Sequence, residues 1–257
     1  MKIHQIYTNS PLRNFTYLVE DSVEGVYCID PFDGEEVFNS IQNLGKKLIA
    51  IINTHEHPDH VCGNEKLLEL SGCGEVWAHI GAKGIAPGFS RALVQDELIE
   101  VAGGSLEVLV TPGHTFSHIC LLFKEGHKQK AIFSGDTVFN AGVGHVRLGG
   151  EVETLYKTIS STFYELDDDV ILYPGHDYLE NNLRFTLDRE PSNEFAKNFL
   201  ELVLQSDSTK MVTNIEKEKL MNSFFRFDKK ELVDNLVGDT SSEKQVFLRL
   251  RELRNNW

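Results

Sequence analysis

The sequence is poor in cysteine and in basic residues, and it has no long apolar run. Its 257 residues include four scattered cysteines without a C-x-x-C pair, which predicts reduced, mostly buried thiols. The net charge of -14 argues against nucleic acid or an anionic membrane as a partner, because both attract positive surfaces. No segment is long enough to span a bilayer, and "MKIHQIYTNS" lacks the apolar core of a signal peptide. We therefore expect a cytoplasmic protein, and we also expect a monomer.

Strands and helices alternate in the first two thirds of the chain, and helices dominate the remainder. The segments "HQIYT", "FTYLVED" and "GVYCID" predict short strands, and "EEVFNSIQNLG" predicts a helix with a glycine stop. "KLIAIINTH" is apolar on both faces, as in a sheet that helices cover. "DHVCGNEKLLELSG" predicts one further helix. These patterns predict an α/β domain at residues 1–175 and a helical domain at residues 176–257.

Four predicted strands end in side chains of the kind that bind metal ions. They lie in "LIAIINTHEHPDH", "LEVLVTPGHT", "KAIFSGDT" and "VILYPGH". Because ligands of open α/β folds gather outside strand ends, we expect these side chains to converge on one site. Imidazole suits zinc or iron, and a carboxylate can bridge two ions, so seven such residues predict two ions that share a carboxylate. Histidines outside this set, such as His118, are interpreted as ordinary hydrogen-bonded residues. The set comprises His55, His57, Asp59, His60, His114, Asp136 and His176.

The motif "THEHPDH" resembles the T-H-x-H-x-D-H signature of the metallo-β-lactamase superfamily. "TPGHTFSHIC", "FSGDTVFNAGVG" and "YPGHDYLENNLRF" resemble later motifs of glyoxalase II, the hydroxyacylglutathione hydrolases. "EPSNE", "NSFFRF" and the closing "RLRELRNNW" resemble the helical C-terminal part of that family. The resemblance covers nearly the whole chain in order. It implies an α/β fold, the αββα metallo-β-lactamase sandwich, followed by a small C-terminal helical domain. The sandwich would be the catalytic domain, at residues 1–175, and the helical domain would bind substrate, at residues 176–257.

The resemblance also implies how the metal ligands are divided. Zinc is the expected metal, with iron or manganese in part. Asp59 and Asp136 are the candidate catalytic carboxylates, and Asp59 is a possible proton acceptor in addition to being a ligand. The family pattern assigns one ion to His55, His57 and His114, the second to Asp59, His60 and His176, and the bridging position to Asp136.

The activity implied is hydrolysis of S-D-lactoylglutathione to D-lactate and glutathione, a step of methylglyoxal detoxification. No G-x-S-x-G motif offers a serine nucleophile, so a metal-activated water is expected to attack the thioester. Tyr178 matches a family tyrosine near the thiol, while Arg251 and Arg254 match basic residues that hold the glycine carboxylate of glutathione. The family commonly has lysine and tyrosine where this chain has His145 and Arg147. Arg147 either supplies the missing charge or indicates a different thiol carrier.

Four other functions remain open from the sequence. A persulfide dioxygenase of the same fold would use one iron held by His55, His114 and Asp136, and it is the main alternative. A β-lactamase or lactonase leaves the basic C-terminal helix unexplained. A nuclease is disfavoured by the net charge of -14. A metal-binding protein without catalysis would leave the open water position unused.

The last segment, "EKQVFLRLRELRNNW", predicts an amphipathic helix. Its apolar stripe is expected to contain Val246, Leu250, Leu253 and Trp257. The two arginines that the family uses for substrate binding would then lie on an adjacent face.

Overall fold

The computed structural model describes residues 2–21 and 24–257, which form fourteen strands and nine α-helices. These elements make two compact units. The first unit contains the chain up to Thr111 together with Ser117–Gly135. The second contains Pro112–Phe116 and Asp136–Trp257.

A six-stranded mixed sheet, with its strands in chain order, forms the larger layer of the first unit. The first three strands are antiparallel, and the third to the sixth are parallel. Its strands are β1 (Ile3–Tyr7), β2 (Phe15–Glu20), β3 (Gly25–Ile29), β4 (Lys47–Ile52), β5 (Val76–His79) and β6 (Phe89–Leu93). Its helices are α1 (Gly34–Asn43), α2 (Pro58–Val61) and α3 (Asn64–Ser71).

Apolar side chains on one face of this sheet pack against α1 and α3. Leu18 and Ile51 meet Val37, Ile41 and Leu67 in one cluster of buried residues. The side chain of Asp33 accepts hydrogen bonds from two backbone N–H groups of the first turn of α1, which fixes where that helix begins. The helices therefore cover one face of the sheet, as the apolar residues on both faces of β4 predicted.

The second layer of the first unit is an antiparallel meander. It consists of β7 (Leu98–Val101), β8 (Gly104–Val110), β9 (Ile119–Glu125) and β10 (Lys128–Gly135). Tyr17 of β2 and Phe133 of β10 meet edge to face, with ring centroids 5.2 Å apart. Two strand layers therefore pack together in this unit, with α1 and α3 outside the first.

The second unit is mainly helical and contains two short antiparallel strand pairs, at residues 138–139 with 142–143 and at residues 171–172 with 213–214. Its apolar core joins Leu179 and Leu183 to Ala196, Val203 and Met221. A π-helical turn at Ile159–Phe163 continues the fourth helix. The elements are β11 (Val138–Phe139), β12 (Gly142–Val143), α4 (Val152–Thr158), β13 (Ile171–Pro174), α5 (Leu179–Arg189), α6 (Glu194–Leu204), β14 (Thr213–Asn214), α7 (Ile215–Met221), α8 (Lys230–Asn235) and α9 (Glu243–Arg254).

Two local predictions are wrong. The helix expected in "DHVCGNEKLLELSG" is split into α2 and α3, because Gly63 lies against Pro31. The N–H of Gly63 donates to the carbonyl oxygen of Pro31 at 2.9 Å, and a Cβ at Gly63 would press on the same oxygen.

The second wrong prediction is the apolar stripe of α9. The buried face of this helix contains Phe247 and Arg251 in addition to Val246 and Leu250, whereas Trp257, which was expected on the stripe, is 48 % exposed.

Within residues 2–21 and 24–257, no helix combines the length and the apolarity that crossing a membrane requires.

Candidate metal centre

The register of the first sheet brings Asp30 next to the segment that follows β4. Ile29 and Ile52 are partners in the parallel pair β3–β4, so the two strands end at the same level. The backbone N–H and the hydroxyl of Thr54 donate to the two carboxylate oxygens of Asp30, at 2.7 and 2.5 Å. The Nδ1 atom of His60 donates to Asp30 Oδ2 at 2.9 Å. Asp30 therefore fixes both the segment that carries the histidines and the orientation of one imidazole.

Three imidazoles of the first unit form a compact cluster around His55. Its ring centroid lies 4.6 Å from that of His57 and 4.1 Å from that of His60. The ligand atoms of Asp30, His55 and His60 all lie within 4.8 Å of one another. His55 and His60 are buried, and burying several imidazoles together is costly unless a cation or hydrogen bonds compensate. The cluster has the donor chemistry of a divalent transition-metal site.

Asp59 and His118 complete the polar surroundings of this cluster. A carboxylate oxygen of Asp59 lies 3.4 Å from His60 Nε2 and accepts a hydrogen bond from the side chain of Asn14 at 2.8 Å. His118 stacks on His55, with centroids 5.0 Å apart, and its Nδ1 is hydrogen-bonded to the hydroxyl of Thr111. His118 is therefore a hydrogen-bonded residue, in keeping with its interpretation from sequence. Asn14 was not identified from the sequence.

A second group of candidate ligands lies in the second unit, centred on Asp136. The Nε2 atoms of His114 and His176 lie 3.5 and 3.2 Å from its two carboxylate oxygens. All three side chains are almost fully buried. His114 Nδ1 lies 2.6 Å from the backbone oxygen of His145 and must donate to it, because a carbonyl only accepts. Nε2 of the neutral imidazole then remains available to a metal ion, as in the arrangement typical of metal-binding histidines.

Close packing holds this second group in place. A Cβ at Gly144 would overlap the backbone oxygen of Asp136, so the segment that carries His145 approaches the group only because residue 144 is glycine. The ring of Tyr178 stacks on His176 with centroids 5.0 Å apart and an interplanar angle of 4°. Phe139 meets both rings edge-on, at 5.7 and 5.1 Å. The aromatic pair thus orients His176.

A pocket of about 320 Å³ lies in the same unit and is bounded in part by Tyr178. All five substrate-binding residues predicted from the sequence line it. Burial lowers the pKa of Arg251, and the positive charges of Arg254 and Arg147 lower it further. An anionic ligand would relieve this repulsion. The lining residues are Phe139, Val143, His145, Arg147, Tyr178, Asn181, Asn182, Arg251, Arg254, Asn255 and Trp257.

Polar neighbours orient the more exposed cations of this pocket. Arg254 Nη2 donates to Asn182 Oδ1 at 3.1 Å, and Arg147 Nη2 donates to the carbonyl oxygen of Asn255 at 3.0 Å. The side chain of Asn182 in turn donates to the carbonyl oxygen of Asn140 at 2.9 Å. Asn182 was not identified from the sequence, because an asparagine inside a helix carries no metal-ligand or charge signature.

Comparison with known proteins identifies the family. Residues 10–176 match the model of the metallo-beta-lactamase superfamily, and residues 177–257 match the model of the hydroxyacylglutathione hydrolase C-terminus. A protein named hydroxyacylglutathione hydrolase from a Polaromonas species is 41 % identical over 266 residues, covering 100 % of both chains. The chain belongs to the hydroxyacylglutathione hydrolase family. Membership confirms the resemblance, the predicted fold class and the enzyme class.

Solved structures agree on the fold of this hydroxyacylglutathione hydrolase family member. ETHE1 from Myxococcus xanthus matches with a TM-score of 0.70 and 23 % identity over 99 % of this chain and 92 % of that one. TTHA1623, solved in a di-iron-bound form, matches with a TM-score of 0.55 and 29 % identity over 68 % of this chain and 92 % of that one. The match to ETHE1 shows the fold alone. The boundary between residues 175 and 176 stays a prediction about domains.

Proposed function

We propose that this protein hydrolyses the thioester bond of a hydroxyacylglutathione, foremost S-D-lactoylglutathione, at a centre of two divalent transition-metal ions. The observation that carries the proposal is the place of Tyr178, which stacks on the candidate ligand His176 and also lines the cationic pocket. A substrate held in that pocket would present its thioester beside the group centred on Asp136. The C-terminal family match favours this activity over a persulfide dioxygenase.

The seven ligand-type residues are proposed to form one centre, with zinc as the main metal and iron or manganese in part. Both clusters are mostly buried and combine imidazoles with a carboxylate, which suits divalent transition metals. The di-iron-bound form of TTHA1623 supports a count of two. The proposed ligands are His55, His57 and His114 for one ion, Asp59, His60 and His176 for the other, and Asp136 for both.

Two divalent ions bound there would supply Lewis-acid activation of a water and of the thioester carbonyl. The chain's own residues prepare that chemistry. Asn14 donates to Asp59 and orients its carboxylate, which serves as a ligand first and as a proton acceptor second. The carbonyl of His145 fixes the tautomer of His114. Phe139 and Tyr178 meet edge-on and line the pocket, where their rings would pack against the thiol side of the substrate.

The cations of the pocket are proposed to hold the carboxylates of the thiol carrier. Arg251 and Arg254 would bind the glycine carboxylate, and His145 and Arg147 would contact the remainder of the carrier. Three guanidinium groups around one pocket favour a carrier with more than one negative charge, because charge-assisted hydrogen bonds to carboxylates are strong. Glutathione, with two carboxylates, meets this requirement.

The test is a thioester hydrolysis assay combined with metal analysis on one sample purified without chelator. We expect close to two metal ions per chain and turnover of S-D-lactoylglutathione in preference to lactoyl thioesters of uncharged thiols. A chelator should abolish activity, and added zinc should restore it. Metal content near zero, or no thioester turnover by fully metallated protein, would refute the proposal. Oxygen uptake with glutathione persulfide and one iron per chain would instead support the dioxygenase.

We also propose that the protein acts in the cytoplasm as a monomer and binds neither nucleic acid nor membranes. The net charge of -14 supports the last two points, because it repels polyanions. Light scattering at micromolar concentration tests the monomer directly.

A further inference from the structure

Arg251 differs from the other cations of the pocket in what it contacts. Only 4 % of the residue is exposed, and its Nη1 donates to two backbone oxygens, those of Val143 at 2.9 Å and Gly144 at 3.1 Å. The ring of Phe224 lies 5.5 Å from its guanidinium carbon. A buried guanidinium is costly unless hydrogen bonds compensate, so these two contacts are a principal part of what holds the side chain in place.

The segment that Arg251 holds continues directly to the candidate metal ligands. The next residue, His145, accepts the Nδ1 proton of His114 on its backbone oxygen at 2.6 Å. Gly144 itself packs so closely on the backbone of Asp136 that no side chain would fit. A shift of this segment would therefore disturb the orientation of His114 and the packing of Asp136 together.

We infer that Arg251 is a positioning residue of the metal centre, acting through the backbone of Val143–His145, in addition to being a cation of the substrate pocket. This inference rests on the proposed function. Substrate binding alone would confine the effect of Arg251 to the Michaelis constant. Positioning predicts in addition a change in metal affinity when no substrate is present.

Arg254 provides the matched comparison. It lies one turn further along α9, lines the same pocket and donates to a side-chain oxygen, that of Asn182. Its loss removes the same positive charge from the pocket and leaves the hydrogen bonds of Arg251 to the backbone of residues 143 and 144 in place. A difference between the two arginines therefore reports the contact with the backbone rather than the charge.

The experiment compares Arg251→Met with Arg254→Met. Methionine keeps much of the apolar stem and removes every hydrogen-bond donor. Metal-free protein is titrated with Zn²⁺ against a chromophoric chelator, and the Co²⁺-substituted protein is examined by absorption spectroscopy. We expect Arg251→Met to weaken binding of at least one ion about 10- to 100-fold and to change the Co²⁺ spectrum, as loss of hydrogen-bonded support for a ligand generally does. Arg254→Met should stay within about twofold of the wild type, with an unchanged spectrum.

An Arg251→Met protein with wild-type zinc affinity and an unchanged Co²⁺ spectrum would overturn the inference. Equal losses in the two variants would overturn it as well. If circular dichroism shows that Arg251→Met does not fold, Arg251→Gln is examined by the same zinc titration and Co²⁺ spectroscopy. The shorter amide side chain of glutamine cannot reach the carbonyl oxygens of both Val143 and Gly144. Since no substrate is present, the result stands apart from the hydrolysis assay that tests the proposed function.

Discussion

The Nδ1 atom of His60 lies 2.9 Å from Oδ2 of Asp30, and both side chains are buried. A carboxylate that accepts this proton fixes the tautomer and leaves Nε2 available as a candidate ligand atom. Asp30 itself adopts a left-handed backbone, with φ at 50°, and is held by Thr54. Asp30 thus supports the proposed metal ligands and is not itself one of them.

Replacing Asp30 with alanine should weaken metal binding about 10- to 100-fold, because His60 would lose the partner that orients it. Asp30→Asn keeps an acceptor oxygen, so its zinc affinity should lie between those of Asp30→Ala and the wild type. Zinc titration of metal-free protein measures both. Asp33→Ala is the control, since Asp33 caps α1 and should lower stability by about 1 kcal/mol without changing zinc affinity. Wild-type affinity in Asp30→Ala would contradict this role.

Asp136→Ala should lower both metal content and turnover by about 100-fold or more, because its carboxylate lies against two candidate ligands at once. Cys62→Ala is the control. The Cys62 thiol is exposed and donates to the carbonyl oxygen of Phe32, so its removal should leave activity near normal. Metal analysis and the thioester assay on the same samples measure the metal content and the turnover of both variants. Two bound ions and normal turnover in Asp136→Ala would exclude a bridging carboxylate.

Asp30 also shows how far the sequence could predict the site. Apolar strands that run into histidine or aspartate identified seven candidate ligands, and "GVYCID" has the same pattern, ending in Asp30. A lone aspartate after a strand is common, so this strand end carries no metal-ligand signal of its own. Its significance comes from the parallel pairing of β3 with β4, which places Asp30 beside Thr54. Pairing between distant strands has no local signature.

The fold was predictable where periodicity is strong and less so where tertiary contacts decide. The strands β1 to β4 and the helices α1 and α9 follow apolar patterns visible in the sequence. The break between α2 and α3 depends on the contact of Gly63 with Pro31, which no local rule reveals. The burial of Arg251 on α9 likewise depends on two carbonyls more than a hundred residues away in sequence.

The pocket cations should contribute unequally to substrate capture. Arg254 is partly buried, and Arg254→Ala should raise the Michaelis constant for a glutathione thioester about 10- to 100-fold, the value of a charge-assisted hydrogen bond. Arg147 is exposed, so Arg147→Ala should raise it only about two- to fivefold. Steady-state kinetics measure both effects. Arg184→Ala, which removes an exposed arginine paired with Glu180, is the control. If each substitution raised the Michaelis constant for a thioester of an uncharged thiol as much as for the glutathione thioester, neither arginine would bind a carboxylate.

Glu218 is a fully buried acid that holds the turn between β11 and β12. One oxygen accepts from the backbone N–H of Ala141 at 2.8 Å and from the side chain of Asn222 at 2.9 Å. The other accepts from the hydroxyl of Thr213 at 2.7 Å. Burial nevertheless raises the pKa of Glu218 from its ordinary value of 4.5 to about 7, because desolvation outweighs these hydrogen bonds.

Replacing Glu218 with glutamine should therefore change how stability depends on pH. The folded protein binds this proton more tightly than the unfolded chain, so the stabilisation is present below pH 4.5 and is lost as pH rises towards 7. Between pH 5 and pH 8, the free energy of unfolding of the wild type should fall by about 2–3 kcal/mol relative to Glu218→Gln. Urea unfolding at both pH values measures this difference.

Glu153→Gln is the control. Hydrogen bonding to Lys244 lowers the pKa of Glu153, so any change in the pH dependence of the free energy of unfolding should have the opposite sign. A difference between wild type and Glu218→Gln that is the same at both pH values would mean that Glu218 does not change its protonation on folding.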